Sequence, residues 1–137
     1  MKTLLMLTIA VPILGMIPAF PQSAVPPAAK HESPFACDRM ALTPEQRKRH
    51  FDELGPLLRS LTQGVRELPD GYEFEFSAGA ATLQPVAEWA AGEHLCCPFF
   101  DIDLRLEREG GALWLRLTGR EGVKQFIRAD FDRWFKP

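Results

Sequence analysis

The chain has 137 residues, of which 46% are hydrophobic and 25% charged, with a formal net charge of −2. Those values fit one ordinary globular domain, exclude wholesale disorder, and leave no basic excess for a nucleic-acid or anionic-membrane partner. Three cysteines are too few for a disulfide-dense miniprotein.

Lys2 is followed by an uncharged stretch from Thr3 to Ala29, and the part from Leu4 to Phe20 is almost wholly apolar. A short basic start, an apolar centre and a small-residue exit predict a secretory signal peptide over residues 1–24, cut after Ala24. The alternative is an uncleaved membrane anchor. A bilayer span takes roughly 20 apolar residues, and this run is shorter and interrupted by Pro12, Gly15 and Pro18. The expectation is export to the periplasm or the medium, with no stable membrane insertion after cleavage. Residues 25–35, rich in Pro and Ala, read as an extended tether, because Pro26-Pro27 cannot continue a helix. The folded domain is expected over residues 36–137.

Within it, Thr43-Pro44-Glu45-Gln46 predicts a helix start with a capping box and proline at the first helical position. Phe51, Leu54, Leu58, Leu61 and Val65 continue it as an apolar stripe, with a kink or break at Pro56. Arg47-Lys48-Arg49-His50 reads as a solvated charge run. After the turn Pro69-Asp70-Gly71, a strand alternates Tyr72, Phe74 and Phe76 with Glu73, Glu75 and Ser77. A second helix is expected from about Thr82, with Leu83, Val86, Ala87, Ala90 and His94 on one side and Trp89, Glu93 and Cys96 on another row. Pro98 disfavours a helical backbone at Cys97 and ends it there.

A hairpin follows. Phe100, Ile102, Leu104 and Leu106 alternate with charged residues, Gly110-Gly111 turns the chain, and Leu113, Leu115 and Leu117 return. Thr118-Gly119-Arg120-Glu121 resembles a second capping box and predicts a last helix with Val123, Phe126, Ile127, Phe131 and Trp134 facing the core. The fold class is therefore α+β in the order α-β-α-β-β-α: a three-stranded, mainly antiparallel sheet with helices on one face and a right-handed crossover through the second helix. The opposite strand face, with Glu73, Glu75, Asp101, Asp103 and Glu107, is expected to be wet and acidic. Trp89, Trp114 and Trp134 read as core or sheet-covering residues.

The one segment that points to chemistry is Glu93-His94-Leu95-Cys96-Cys97-Pro98-Phe99-Phe100. On a helix, Glu93 lies within reach of Cys96 and Cys97. Thiolates with a neutral imidazole suit soft or borderline cations such as Zn²⁺, Cu⁺ or Hg²⁺. Cys96 and Cys97 are thus candidate ligands, with Cys37 a third thiol and with His94 and Glu93 as weak ligands or neighbours. A catalytic thiol is disfavoured: a helix C-terminus and a nearby glutamate both oppose thiolate formation, and no C-x-x-C motif is present. The non-metal alternative is a disulfide from Cys37 to Cys96 or Cys97. It closes a loop of about 60 residues, worth roughly 4 kcal/mol in the chain-entropy model. That version is a stabilised binding module holding a protein partner through its acidic face or an aromatic patch.

Glu93 to Phe100, with Leu113-Trp114-Leu115-Arg116-Leu117-Thr118-Gly119 and Glu121-Gly122 downstream, resembles a group of small bacterial domains marked by a vicinal cysteine pair followed by Pro-Phe. Similar segments occur in proteins associated with heavy-metal-responsive regulators. The resemblance covers about Ala36 to Phe131; no activity is established for the group, and the resemblance adds weight to the thiophilic-metal reading. Motifs of a mercuric reductase, an organomercurial lyase or an arsenate reductase are not seen.

Overall fold

The computed structural model describes residues 32–135, so the expected signal peptide and most of the expected tether lie outside the described residues. Thr43 caps α1 (Pro44–Arg47): its hydroxyl accepts from the Gln46 amide and the Gln46 side chain accepts from the Thr43 amide. The chain then widens into a π-helical segment, Lys48–Leu54, before resuming as α2 (Gly55–Leu61). Pro56 explains the widening. Its ring would crowd the Asp52 carbonyl in a regular α-turn and it has no amide to offer. The helix answers with i→i+5 bonding, as from the Gly55 amide to the His50 carbonyl, in place of the kink or break expected there.

The sheet has four strands, one more than the sequence pattern predicts. They are β1 (Gly64–Leu68), β2 (Gly71–Phe76), β3 (Asp101–Leu106) and β4 (Leu113–Thr118), in the order β1-β2-β4-β3. The extra strand is β1. Val65, expected on the first helix, pairs instead with Phe74, and Leu68 faces Gly71 across a two-residue turn. Gly71 sits where a side chain would overlap the β4 backbone at Leu117. Strands β2 and β3 each run antiparallel to β4, so they are parallel to one another and joined by α3 (Ala80–Cys96).

Tyr72, Phe74 and Phe76 on β2 meet Leu113, Leu115 and Leu117 on β4 to form one buried face. Leu54 and Leu58, Val86 and Trp89, and Val123 and Ile127 of α4 (Val123–Asp130) cover it, with Phe131 and Trp134 beyond. On β3, however, Leu104 and Leu106 are exposed. That strand is an edge with a partner on one side only.

The outer face is wet at Asp101, Asp103 and Glu107, as its alternation suggests, but not at Glu73. Arg66, Glu73, Arg116 and Asp103 line up across successive strands. Glu73 is only 1% exposed, paired with Arg66 and with Arg116 at 3.2 Å. Trp114 covers the same face, with the Arg66 guanidinium 4.2 Å from its ring centre, while Trp89 and Trp134 are in the core.

The second expected capping box is also absent. Thr118 ends β4 instead, and α4 begins after Gly122, whose φ of 98° puts it in the left-handed region. A side chain there would strike the Phe35 ring. Phe35 packs on Phe99 and Phe126, and Arg120 donates to the Ser33 carbonyl, so the segment leading to Cys37 is held on the domain.

Candidate metal centre at the end of helix α3

Helix α3 turns Thr82, Val86, Trp89, Glu93 and Cys96 into the core, a row spaced by three and four residues. Glu93 therefore joins the buried row, whereas His94, one position later, is solvent-exposed and stands apart from the cysteines. Cys96 closes the helix. Cys97 is its cap, with φ −125° and ψ 67°, and its amide donates to the Glu93 carbonyl at 2.7 Å. Leaving the helical backbone at Cys97, as Pro98 requires, separates the two side chains: Cys96 follows the core row and Cys97 meets Cys37 in a disulfide. The Asp38 amide donates to the Cys96 carbonyl at 2.6 Å and pins the incoming segment over the helix end.

Cys96 is fully buried, and its sulfur lies 3.7 Å from the Cys97 sulfur and 3.9 Å from Glu93 Oε2. Donor atoms of Cys37, Glu93, Cys96 and Cys97 all fall within 4.8 Å of one another. Four of the five residues singled out by the sequence thus converge. The fifth, His94, is replaced in space by His50, whose Nε2 is 2.9 Å from Glu93 Oε2 and 4.0 Å from Cys96 Sγ.

His50 is not part of a solvated charge run. It is 3% exposed, stacks on Trp89 at 5.4 Å between ring centres, and takes the edge of Phe51. A signal for it was present: His50, Leu54 and Leu58 are spaced by four and are the buried residues of this helical stretch. Gly92 makes room for the ring, because a Cβ there would come within 2.5 Å of Nδ1. Nδ1 is buried without a hydrogen-bond partner. A proton on it would be an orphaned donor, so the ring carries its proton on Nε2 and donates to Glu93. Arg49 holds the π-helical segment against α3 through Glu88, at 2.9 and 2.8 Å.

Burial dominates the electrostatics, with His50 opposing it at Glu93 and Arg39 opposing it at Cys96. Burial pushes the Glu93 carboxyl above its ordinary value, with His50 acting only partly against that. Burial, then the neighbouring Glu93, push the Cys96 thiol up to about 12. A thiol so held is protonated near neutrality and is a poor nucleophile, since the thiolate is the reactive form. A cavity of about 130 Å³ opens beside the cluster, with Cys37, His50, Glu93 and Asp130 among its walls.

Fold and site together define an α+β domain with a buried cysteine–carboxylate cluster within metal-binding distance and a disulfide across two of its sulfurs. Comparison with protein-family models, with curated proteins and with solved structures finds no match. Among the described residues no helix is long and apolar enough to cross a membrane, and a disulfide is compatible with an exported protein.

Proposed function

We propose that this is an exported domain that binds one thiophilic metal ion at Cys37, Cys96 and Cys97, with Glu93 as a further donor, when the disulfide is open. The observation that carries the reading is the convergence of those four donors within 4.8 Å. Two thiolates bound to one tetrahedral ion, each at about 2.3 Å, stand about 3.8 Å apart. The Cys96 and Cys97 sulfurs are 3.7 Å apart. The Cys37–Cys97 bond is then the closed form. A dithiol reductant opens it, giving up two electrons and two protons to yield both thiols and becoming a disulfide itself. Metal binding next displaces the thiol protons.

Calorimetric titration of the reduced protein under anaerobic conditions with Zn²⁺, Cu⁺ and Hg²⁺ tests the reading beside a Cys96→Ser/Cys97→Ser double variant. The variant is expected to bind Cu⁺ and Hg²⁺ far more weakly. Equal affinities for both proteins would end the proposal.

The bond between Cys37 and Cys97, 60 residues apart, supports a second reading. In it the disulfide is permanent and the domain is a non-catalytic binding module. Thiol counting on protein purified without reductant separates the two. One free thiol that resists mild dithiol treatment favours the module, while ready opening to three favours the metal centre.

A further inference from the structure

With the disulfide closed, Cys96 Sγ and Glu93 Oε2 of the cluster remain outside any covalent bond, and the neighbouring His50 Nε2 is hydrogen-bonded to that carboxylate oxygen. Their separations are 2.9 Å between nitrogen and oxygen, 3.9 Å between sulfur and oxygen, and 4.0 Å between sulfur and nitrogen. A tetrahedral Zn²⁺, with bonds of about 2.3 Å to sulfur and about 2.0–2.1 Å to nitrogen and oxygen, holds such donors roughly 3.3–3.6 Å apart. Each observed separation is within about half an ångström of that spacing. We infer that the oxidised protein carries its own divalent-cation site, built from His50, Glu93 and Cys96, for a borderline ion of the Zn²⁺ class.

The ligand chemistry differs from that of the reduced centre. One sulfur, one imidazole nitrogen and one carboxylate oxygen suit Zn²⁺ or Co²⁺, whereas three sulfurs suit Cu⁺ and Hg²⁺. Three protein donors also leave a fourth coordination position, the arrangement of zinc sites that hold a water or a small ligand. A cavity walled in part by His50, Glu93 and Asp130 adjoins two of the three donors.

The supporting structure is rigid where a metal site needs it. The imidazole is clamped between Phe51 and Trp89, Gly92 lets it approach α3, and both Glu93 and Cys96 stand on one helix, three residues apart. Ligation through Nε2 uses the other tautomer of the neutral imidazole: the Nε2 proton is released, Nδ1 takes one up as a buried donor at a cost that the metal bond must exceed, and Cys96 releases its thiol proton to solvent. The carboxylate then moves from accepting the Nε2 proton to ligating beside the ring. The inference shares the cysteine pocket of the proposed function but requires no opening of the disulfide, so the two stand or fall on different redox forms.

The test uses the chain purified without reductant, with one free thiol confirmed, and Co²⁺ as an optical probe. One equivalent of Co²⁺ is expected to give tetrahedral visible bands and a near-ultraviolet thiolate-to-cobalt band, both erased by Zn²⁺. His50→Gln and Cys96→Ala are each expected to weaken Zn²⁺ binding by roughly 100-fold or more, and His94→Ala to leave it unchanged. The charge-transfer band of the unmodified protein reports the Cys96 ligand directly, should a variant fold poorly. Absence of Co²⁺ binding by the oxidised protein, binding without the thiolate band, or binding unaffected by His50→Gln in a folded variant would each overturn the site. Failure of the reduced protein to bind Cu⁺ or Hg²⁺ through its cysteines would instead overturn the proposed function and leave this site standing.

Discussion

Two glutamates of this small domain are buried, and they are buried in opposite ways. Glu73, 1% exposed on the outer face of the sheet, lies between the guanidinium groups of Arg66 and Arg116. Glu93, 3% exposed at the end of α3, has a histidine and a thiol for company, and a second acid, Asp130, close enough to raise its pKa further. A buried carboxylate is tolerated when a cation compensates it. Glu73 has its compensation built into neighbouring strands. Glu93 has only His50, which is a cation only when protonated, and donors that suit a metal ion surround it. The first arrangement is what a sheet does with a charge it must hide. The second leaves a place for positive charge.

The largest effect separating the two regions should come from the disulfide, which borders Glu93 alone. Opening Cys37–Cys97 in metal-free protein is expected to cost about 4 kcal/mol in the chain-entropy model, read from denaturant unfolding with and without reductant. Adding Hg²⁺ to the reduced protein should recover much of that loss, because a ligand bound only by the folded state stabilises it. A reduced protein as stable as the oxidised one would show that the loop is already ordered without the bond.

Next in size is removal of the compensation at Glu73. Arg66→Met with Arg116→Met leaves the carboxylate buried against Trp114 without a cation, and a loss of about 3 kcal/mol is expected. The measurement is the urea midpoint at neutral pH with an unchanged slope. A loss below about 1 kcal/mol, the range of exposed ion pairs, would mean that Glu73 can reach water, and the contrast with Glu93 would weaken.

Gly92→Ala probes the other side more gently. A Cβ placed 2.5 Å from Nδ1 must displace an imidazole that Phe51 and Trp89 hold in place. Overpacking of this kind costs about 1–3 kcal/mol, and the better helix propensity of alanine returns up to about 1 kcal/mol. A net loss of about 1–2 kcal/mol is expected, with weaker Co²⁺ binding by the oxidised protein. Unchanged stability together with unchanged binding would show that the His50 ring has another place to go.

How much of this contrast was legible in the sequence follows from the same residues. The strand alternation placed Glu73 on a face away from the core, but alternation cannot tell water from a guanidinium. The pairing that brings Arg66 and Arg116 to it needed β1. That strand is five residues long, and Val65 fell at helical spacing behind Leu61, so the periodic signal favoured the helix. The Pro69-Asp70 turn before Gly71 was a hint of a hairpin, since the strand after it needs a partner before it. The Thr118-Gly119-Arg120-Glu121 pattern failed for a related reason: Thr118 was committed to pairing with Gly71 and Asp101 on either side. At the cysteine end, Glu93, Cys96, Cys97 and Cys37 were legible because composition alone does not explain a vicinal pair before proline. His50 was not, because a basic neighbourhood masked its place in the row with Leu54 and Leu58. The choice of Cys97 for the disulfide depended on a cap backbone that only the fold displays.

The gentlest test distinguishes a buried acid that has a cation from one that lacks it by the pH dependence of stability. In metal-free, oxidised protein, burial raises the Glu93 carboxyl above its unfolded value of 4.5, and burial likewise raises Asp130 above 3.8. An acid with a raised folded value binds its proton more tightly when folded. Its contribution to stability is therefore complete below the unfolded value and is lost as pH rises through the folded one. The groups facing Glu93 are His50, Cys96 and Asp130, and none is a permanent cation. Between the acid range and neutrality, Glu93→Gln should gain on the unmodified protein as pH increases, because glutamine has no proton to lose and still accepts from His50 Nε2. Saturating Zn²⁺ should reverse that order at neutral pH, since the ion stabilises the carboxylate and has less to hold in the variant. Urea midpoints at several pH values, with chelator and with Zn²⁺, read both effects. Parallel curves for the two proteins in chelator would show that Glu93 is compensated as fully as Glu73, and the case for positive charge at the end of α3 would go with them.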